Sequence, residues 1–151
     1  EKGKAELTDA LERSRKAAGK LTREAVRGRL GWLMAEPEKS VTDELVEVRY
    51  QVYNRPGMLP VMGKIAMNVL GKVIDDEWCK QWVNPELMRD IQCPTLLLWT
   101  RHNPGQPVEL AEEGMQFIPN ARMVVLENSA HWPQWEEPEP FNKAHLEFLL
   151  E

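Results

Sequence analysis

Over the first ninety positions, apolar residues recur at helical spacing. Leu7, Ala10 and Leu11 make a first stripe, broken at Gly19. Leu21, Ala25, Val26, Leu30 and Leu33 make a second, with Thr22 placed to cap its start and Pro37 to close it. Ser40 with Asp43 has the form of a capping box ahead of a third stripe, Val41, Leu45, Val48 and Val52. Pro56-Gly57 breaks that helix. Met58, Met62, Ile65, Ala66 and Val69 form a fourth stripe ending at Gly71, and a shorter helical piece is expected from Glu77 to Met88, interrupted at Asn84-Pro85.

After Pro94 the pattern changes. Thr95 to Trp99 is a continuous apolar run of strand length, expected to be buried on both faces of a parallel sheet. A Pro/Gly-rich turn from Asn103 to Pro107 leads to a helix over Val108–Ile118, and Pro119-Asn120 turns the chain into a second buried strand, Met123–Leu126. A loop carrying His131 follows. Pro138 and Pro140 then lie in the first turn of a last helix to Leu150, where their missing N–H groups cost little. Strand–helix–strand–helix with short links implies a right-handed crossover and helices packed on a parallel sheet. Two parallel strands are too few to stand alone. The fold class is therefore α/β, with a helical lid over 1–90 joined to the end, 91–151, of a larger α/β domain. The chain opens on Glu1 rather than Met, which carries the same expectation of an N-terminal part beyond it. There is no internal repeat and no low-complexity segment.

Composition narrows the function classes. The 151 residues are 42% hydrophobic and 28% charged, enough to bury a core without recourse to disorder or disulfide staples. With Cys79 and Cys93 as its two cysteines, the chain needs no disulfide framework, and the cytoplasm is the expected compartment. No apolar run approaches the roughly 18–20 residues of a membrane span, and no signal peptide opens the chain. A net charge of −5 argues against nucleic-acid binding, which needs clustered Lys and Arg. The charge is uneven. Residues 1–93 hold 16 Lys/Arg against 15 Asp/Glu, whereas residues 94–151 hold 3 against 9. The basic bias of residues 1–30 reads as a solvated helix face.

In open α/β sheets ligands gather at the C-terminal ends of the strands. Two loops here hold such positions: Trp99-Thr-Arg-His-Asn-Pro-Gly-Gln-Pro107 and Asn128-Ser-Ala-His-Trp132. A polar residue after one strand and a histidine after the next is the layout of the acid and base of a hydrolase triad. Residues 94–151, with His131-Trp132 followed by "PQWE" and then "FN" opening the last helix, resemble the end of an α/β-hydrolase. More narrowly they resemble the meta-cleavage-product hydrolases, which cut carbon–carbon bonds in ring-fission products of aromatic catabolism. The segment "REAVRGRLGWLMAEPEKSVTDELVEVRYQVY" resembles the lid of the same family.

The resemblance implies a partial α/β-hydrolase fold and assigns roles. His131 becomes the catalytic base, work that suits an imidazole around neutral pH. Its alternative is a surface loop histidine. Trp99 and Pro107 fix the register after the first strand, putting Thr100 at a family glycine and Asn103 at the family aspartate. An asparagine oxygen can accept the imidazole N–H but carries no charge for imidazolium, so either Asn103 or a carboxylate outside the chain orients His131. A turn-forming Asn before Pro104 is the plain alternative. Arg49, in the "ELxxxR" position, is implied to hold the substrate carboxylate through its planar fork; a surface arginine paired with Glu47 or Asp43 is the competing reading. Trp132 is implied to line the same site, or else to be a core aromatic. Trp32, Trp78, Trp82 and Trp135 are expected to pack the lid–core seam, His145 to be a packing or surface residue, and His102 is ambiguous.

The Gly-x-Ser-x-Gly elbow is missing, and none of Ser14, Ser40 and Ser129 is expected on a strand-to-helix turn. The nucleophile and the oxyanion-hole glycines are thus expected outside these residues, and the isolated chain is expected to be inactive. No metal-ligand spacing and no phosphate-cradling loop appears, so neither metal nor cofactor is implied. A small-molecule substrate is the expected partner, with no nucleic acid and no membrane, and a homo-oligomer is left open. Ester or epoxide hydrolysis, and a non-catalytic helical interaction module with a degraded hydrolase tail, stand as alternatives.

Overall fold

Caps and prolines set where the helical stripes begin and end. In a computed structural model of the chain, the described residues are 22–65, 68, 72, 75–82 and 84–151. The Leu7–Leu11 stripe, the Gly19 break, Leu21, Ala66, Val69 and Gly71 lie outside them. The chain divides into two compact units: one draws on 22–31 and 41–82 among the described positions, the other on 32–40 and 84–151.

The first unit is helical. Helix α1 spans Arg23–Leu33, its last two residues falling in the second unit. Thr22 Oγ1 accepts from the Ala25 N–H at 3.1 Å, the capping geometry expected of that threonine. Val26 and Leu30, one turn apart, are buried. After the short helix α2 (Pro37–Ser40), helix α3 spans Asp43–Tyr53. Here the capping box fails: Thr42, not Ser40, is the cap, its Oγ1 accepting from Leu45 N at 3.1 Å. Ser40 instead ends α2, so its backbone is already committed to a helix. Of the expected stripe, Val41 is buried and Leu45 and Val52 are half-buried, but Val48 is 52% exposed and Val46 is buried in its stead. Ion pairs lace this unit, with Arg23 bidentate on Glu47 at 2.6 and 3.1 Å and stacked over Tyr50, and Arg27 on Asp43. Gly57, at a φ of 81° that favours glycine, turns the chain into helix α4 (Met58–Ile65), and α5 spans Asp76–Trp82.

The second unit carries the α/β segment. A 3₁₀ turn over Pro85–Asp90, capped by Asn84, precedes strand β1 (Thr95–Thr100). Helix α6 (Val108–Met115) leads to β2 (Ala121–Leu126), followed by the short helix α7 (Pro133–Glu136) and by α8 (Pro138–Leu149). The strands pair in parallel, from Thr95 opposite Ala121 to Thr100 opposite Leu126. Both α6 and α8 pack against both strands. The strands are less buried than an all-apolar run suggests: Thr95 to Trp99 are half-buried, and Thr100 and Leu126 are their buried residues. A two-stranded sheet covered by two helices leaves apolar side chains partly open. Among the described residues no helix is long and apolar enough to cross a membrane.

The cap reassignment has a direct consequence. Thr42→Ala is expected to destabilise the chain by about 1 kcal/mol, while Ser40→Ala should stay within about 0.5 kcal/mol, as read by denaturant unfolding.

Candidate active site

Parallel pairing delivers the chain from both strands at one edge, and two loops meet there. The β1–α6 loop (101–107) is shaped by Gly105 at a φ of 73° and by the Trp99 indole N–H, which donates to the Gln106 carbonyl at 2.9 Å. The β2–α7 loop (127–132) carries His131. Their chemistry meets at one contact: His131 Nδ1 and Asn103 Oδ1 lie 3.0 Å apart. Since an amide oxygen can only accept, the contact needs a proton on Nδ1, and in the neutral ring that leaves Nε2 with its lone pair. That is the tautomer a general base requires. Asn103 is half-buried, and its backbone carbonyl also accepts from Gln106 N at 3.3 Å, so it shapes the turn as well.

Several further bonds join the two loops. Arg101 N donates to the Leu126 carbonyl at 2.9 Å, and His102 N to the Ser129 carbonyl at 3.2 Å. The Arg101 guanidinium grips Glu127 through two 2.8 Å bonds. That hydrogen-bonded pairing, reinforced by charge, holds the Glu127 carboxyl below its ordinary value and raises Arg101. Beneath them the Thr100 hydroxyl, buried at 4% exposure, donates to the Ala130 carbonyl at 2.6 Å. Two consecutive glutamates complete the frame. Glu136 accepts from Ala130 N at 2.9 Å and from Ala35 N at 2.6 Å, and Glu137 accepts from Asn128 N and Nδ2, both at 3.0 Å. The pattern offered a faint signal for these: two carboxylates at the start of a helix, immediately after the histidine loop. Thr100 gave none beyond standing where the resemblance expects glycine.

Trp132 follows His131 and is half-buried. Arg49 sits half-buried on α3 in the other unit. Glu47 pairs with Arg23 and Asp43 with Arg27, and Arg49 has contacts of its own. His145 is exposed and meets Phe141 edge-to-face at 4.8 Å, in keeping with a packing or surface role. Trp32 and Trp135 are both largely exposed, and Trp135 Nε1 donates to the Ser40 carbonyl at 2.9 Å. Ser129, contrary to expectation, does lie between a strand and a helix. Its Oγ is sealed from solvent and has no hydrogen-bond partner, so it is not presented to any substrate. Among the described residues, no group of three or more His, Cys, Asp or Glu side chains is placed to hold a metal.

A family model described as the alpha/beta hydrolase family matches residues 5–144. The 2-hydroxy-6-oxononadienedioate/2-hydroxy-6-oxononatrienedioate hydrolase 2 of Pseudomonas putida is 40% identical over 62 residues, which cover 41% of this chain and 22% of that protein. The 2-hydroxy-6-oxo-6-phenylhexa-2,4-dienoate hydrolase of Delftia acidovorans is 31% identical over 109 residues, 72% of this chain and 36% of that one. A crystal structure of a meta-cleavage product hydrolase from Pseudomonas fluorescens superimposes with a TM-score of 0.73 at 23% identity, covering 85% of this chain and 45% of that chain. That likeness establishes the fold. Each match spans less than half the length of the relative.

The Arg101–Glu127 pair carries a pH dependence whose sign follows from the lowered glutamate. A depressed folded-state pKa adds stability above the ordinary glutamate value of 4.5 and loses it as pH falls through the folded value. Glu127→Gln is therefore expected to lower the melting temperature slightly at neutral pH. The difference from wild type should vanish in acid below the carboxylate range, as read by thermal melts across pH; both groups are exposed, so the effect is small.

Proposed function

The chain belongs to the alpha/beta hydrolase family, and from that premise we propose that it forms the helical lid (1–90) and the C-terminal core portion (91–151) of a carbon–carbon bond hydrolase acting on 2-hydroxy-6-oxo-dienoate ring-fission products. The observation that carries the site is the 3.0 Å contact between His131 and Asn103 at the ends of two parallel strands. The substrate class is supported by the relatives, whose names describe dienoate hydrolases of this kind.

The roles follow from the chemistry of each group. A serine supplied outside these 151 residues attacks the keto carbon of the ketonised substrate. His131 takes its proton through Nε2 and returns it to the dienolate oxygen that forms as the carbon–carbon bond breaks. Water then releases the acyl group as a carboxylic acid, so the hydroxyl ends on one product and the hydrogen on the other. Asn103 holds the ring in the Nδ1–H tautomer without contributing negative charge. Arg49 binds the dienoate carboxylate, for which a planar five-donor fork is suited, and Trp132 gives the site an apolar wall.

The test is turnover by the complete reading frame that contains these residues, followed as loss of the coloured dienoate. His131→Ala is expected to lower kcat by about 10³-fold or more. Arg49→Gln should raise KM at least tenfold, corresponding to a lost charge-assisted contact of about 1.5–3 kcal/mol. Asn103→Asp should raise kcat, because a carboxylate adds the imidazolium stabilisation whose removal in an Asp-to-Asn change elsewhere costs about 10⁴; no gain would point to a carboxylate outside this segment as the orienting group. The 151-residue chain by itself is expected to turn over nothing. Ester cleavage without any dienoate turnover would overturn the substrate class.

A further inference from the structure

The peptide unit that carries His131 is gripped at every polar atom it offers. Ala130, the preceding residue, is 3% exposed. Its N–H goes to the Glu136 carboxylate at 2.9 Å, and its carbonyl receives the Thr100 hydroxyl at 2.6 Å. The His131 N–H in turn donates to the Leu33 carbonyl at 2.9 Å. The other oxygen of Glu136 accepts from Ala35 N at 2.6 Å, so one carboxylate ties the histidine loop to the short segment that supplies the Leu33 carbonyl. The Thr100 bond is buried and both Glu136 bonds are part-buried, surroundings in which an unpaired partner is costly and a satisfied one rigidifies. With both polar atoms of the Ala130–His131 peptide held, the Cα of His131 is placed. The backbone φ of His131 and its two side-chain torsions then bring the ring to Asn103.

We propose that Thr100 and Glu136 are positioning residues that hold His131 in register with Asn103, Thr100 through a hydroxyl bond that the glycine of the resembling pattern cannot make. The proposal rests on the reading of His131 as the base. A neutral amide holds an imidazole less firmly than a carboxylate does, since charge-assisted bonds are roughly twice as strong. The backbone clamp supplies by geometry what Asn103 lacks in charge. Each side chain is specific to the task. Valine at position 100 keeps the shape of threonine but leaves the Ala130 carbonyl unpaired. Glutamine at position 136 offers an amide N–H₂ where one of two backbone N–H groups needs an acceptor.

The experiment has two arms. In the complete reading frame labelled with ¹⁵N-histidine, the ring nitrogens of His131 report which of them carries the proton. Wild type and Thr100→Ser are expected to show the Nδ1–H form. Thr100→Val and Glu136→Gln should each shift the ring towards a mixture of tautomers while circular dichroism shows the fold retained. In the complete reading frame, Thr100→Val and Glu136→Gln should lower kcat by about 10–100-fold with KM unchanged, the scale of a misplaced catalytic group, and Thr100→Ser should recover the loss. If both variants keep the wild-type ring signature and kcat while His131→Ala is inactive, the positioning role is overturned and the base reading stands. If His131→Ala remains active, the base reading fails, and the ring signature still decides the positioning role. Should Thr100→Val not fold, Glu136→Gln carries both arms.

Discussion

Because β1 and β2 run parallel and in register, from Thr95 opposite Ala121 to Thr100 opposite Leu126, the chain leaves both strands at the same edge of the sheet. Every feature of the candidate site depends on that constraint. Residues 28 apart in sequence, Asn103 and His131, come within hydrogen-bond reach because each follows its strand by a few residues. An antiparallel pair would send the two loops to opposite ends. The helices that make parallel pairing feasible, α6 between the strands and α8 after them, also cover the sheet, so the element that closes the crossover helps shape the platform.

The loops at that edge are tied by many modest bonds rather than by one strong one. The exposed Arg101–Glu127 fork is screened by solvent and contributes little stability, but its two parallel bonds set the spacing of the strand ends. The buried bonds matter more. Thr100 to Ala130 and Glu136 to Ala130 act where water cannot substitute for a lost partner, so they constrain the loop more than their number suggests. Asn103 belongs to this economy of geometry. It accepts the imidazole proton and bends its own turn, two tasks for which an uncharged amide suffices, while stabilisation of a charged ring is left to other groups.

The helical unit is built on different physics. Its described surface is dense in arginine, and Arg23 and Arg27 are taken up by carboxylates on α3 and its approach. Arg23 also stacks on Tyr50, and its hydrogen bonds hold the Glu47 carboxyl below the ordinary range. These contacts join α1 to α3, and among the described residues of the unit the buried apolar side chains are few, Val26, Leu30, Val41 and Val46. Polar stitching there does part of the work that a larger core would do.

The sequence alone was enough to place most elements, because helix and strand periods, proline positions and the Thr22 cap are local properties of the chain. It was enough also to single out His131 and Asn103, since loops after buried strands are where polar residues acquire functions. The family likeness over residues 5–144 agrees with the expected fold class. What it could not fix were choices settled by competition between neighbours. Ser40 and Thr42 both suit a helix cap, and only the ending of α2 at Ser40 gave the cap to Thr42. The apolar stripe around α3 marked the covered side at Val41, Leu45 and Val52 but not that Val46 rather than Val48 would be buried. Strand composition gave no measure of how much covering surface a two-stranded sheet would find. The clamp on Ala130 was invisible for a deeper reason. Its partners, Thr100, Leu33 and Glu136, are separated by up to 103 positions, and they converge on backbone atoms of Ala130 and His131, which carry no side-chain signature.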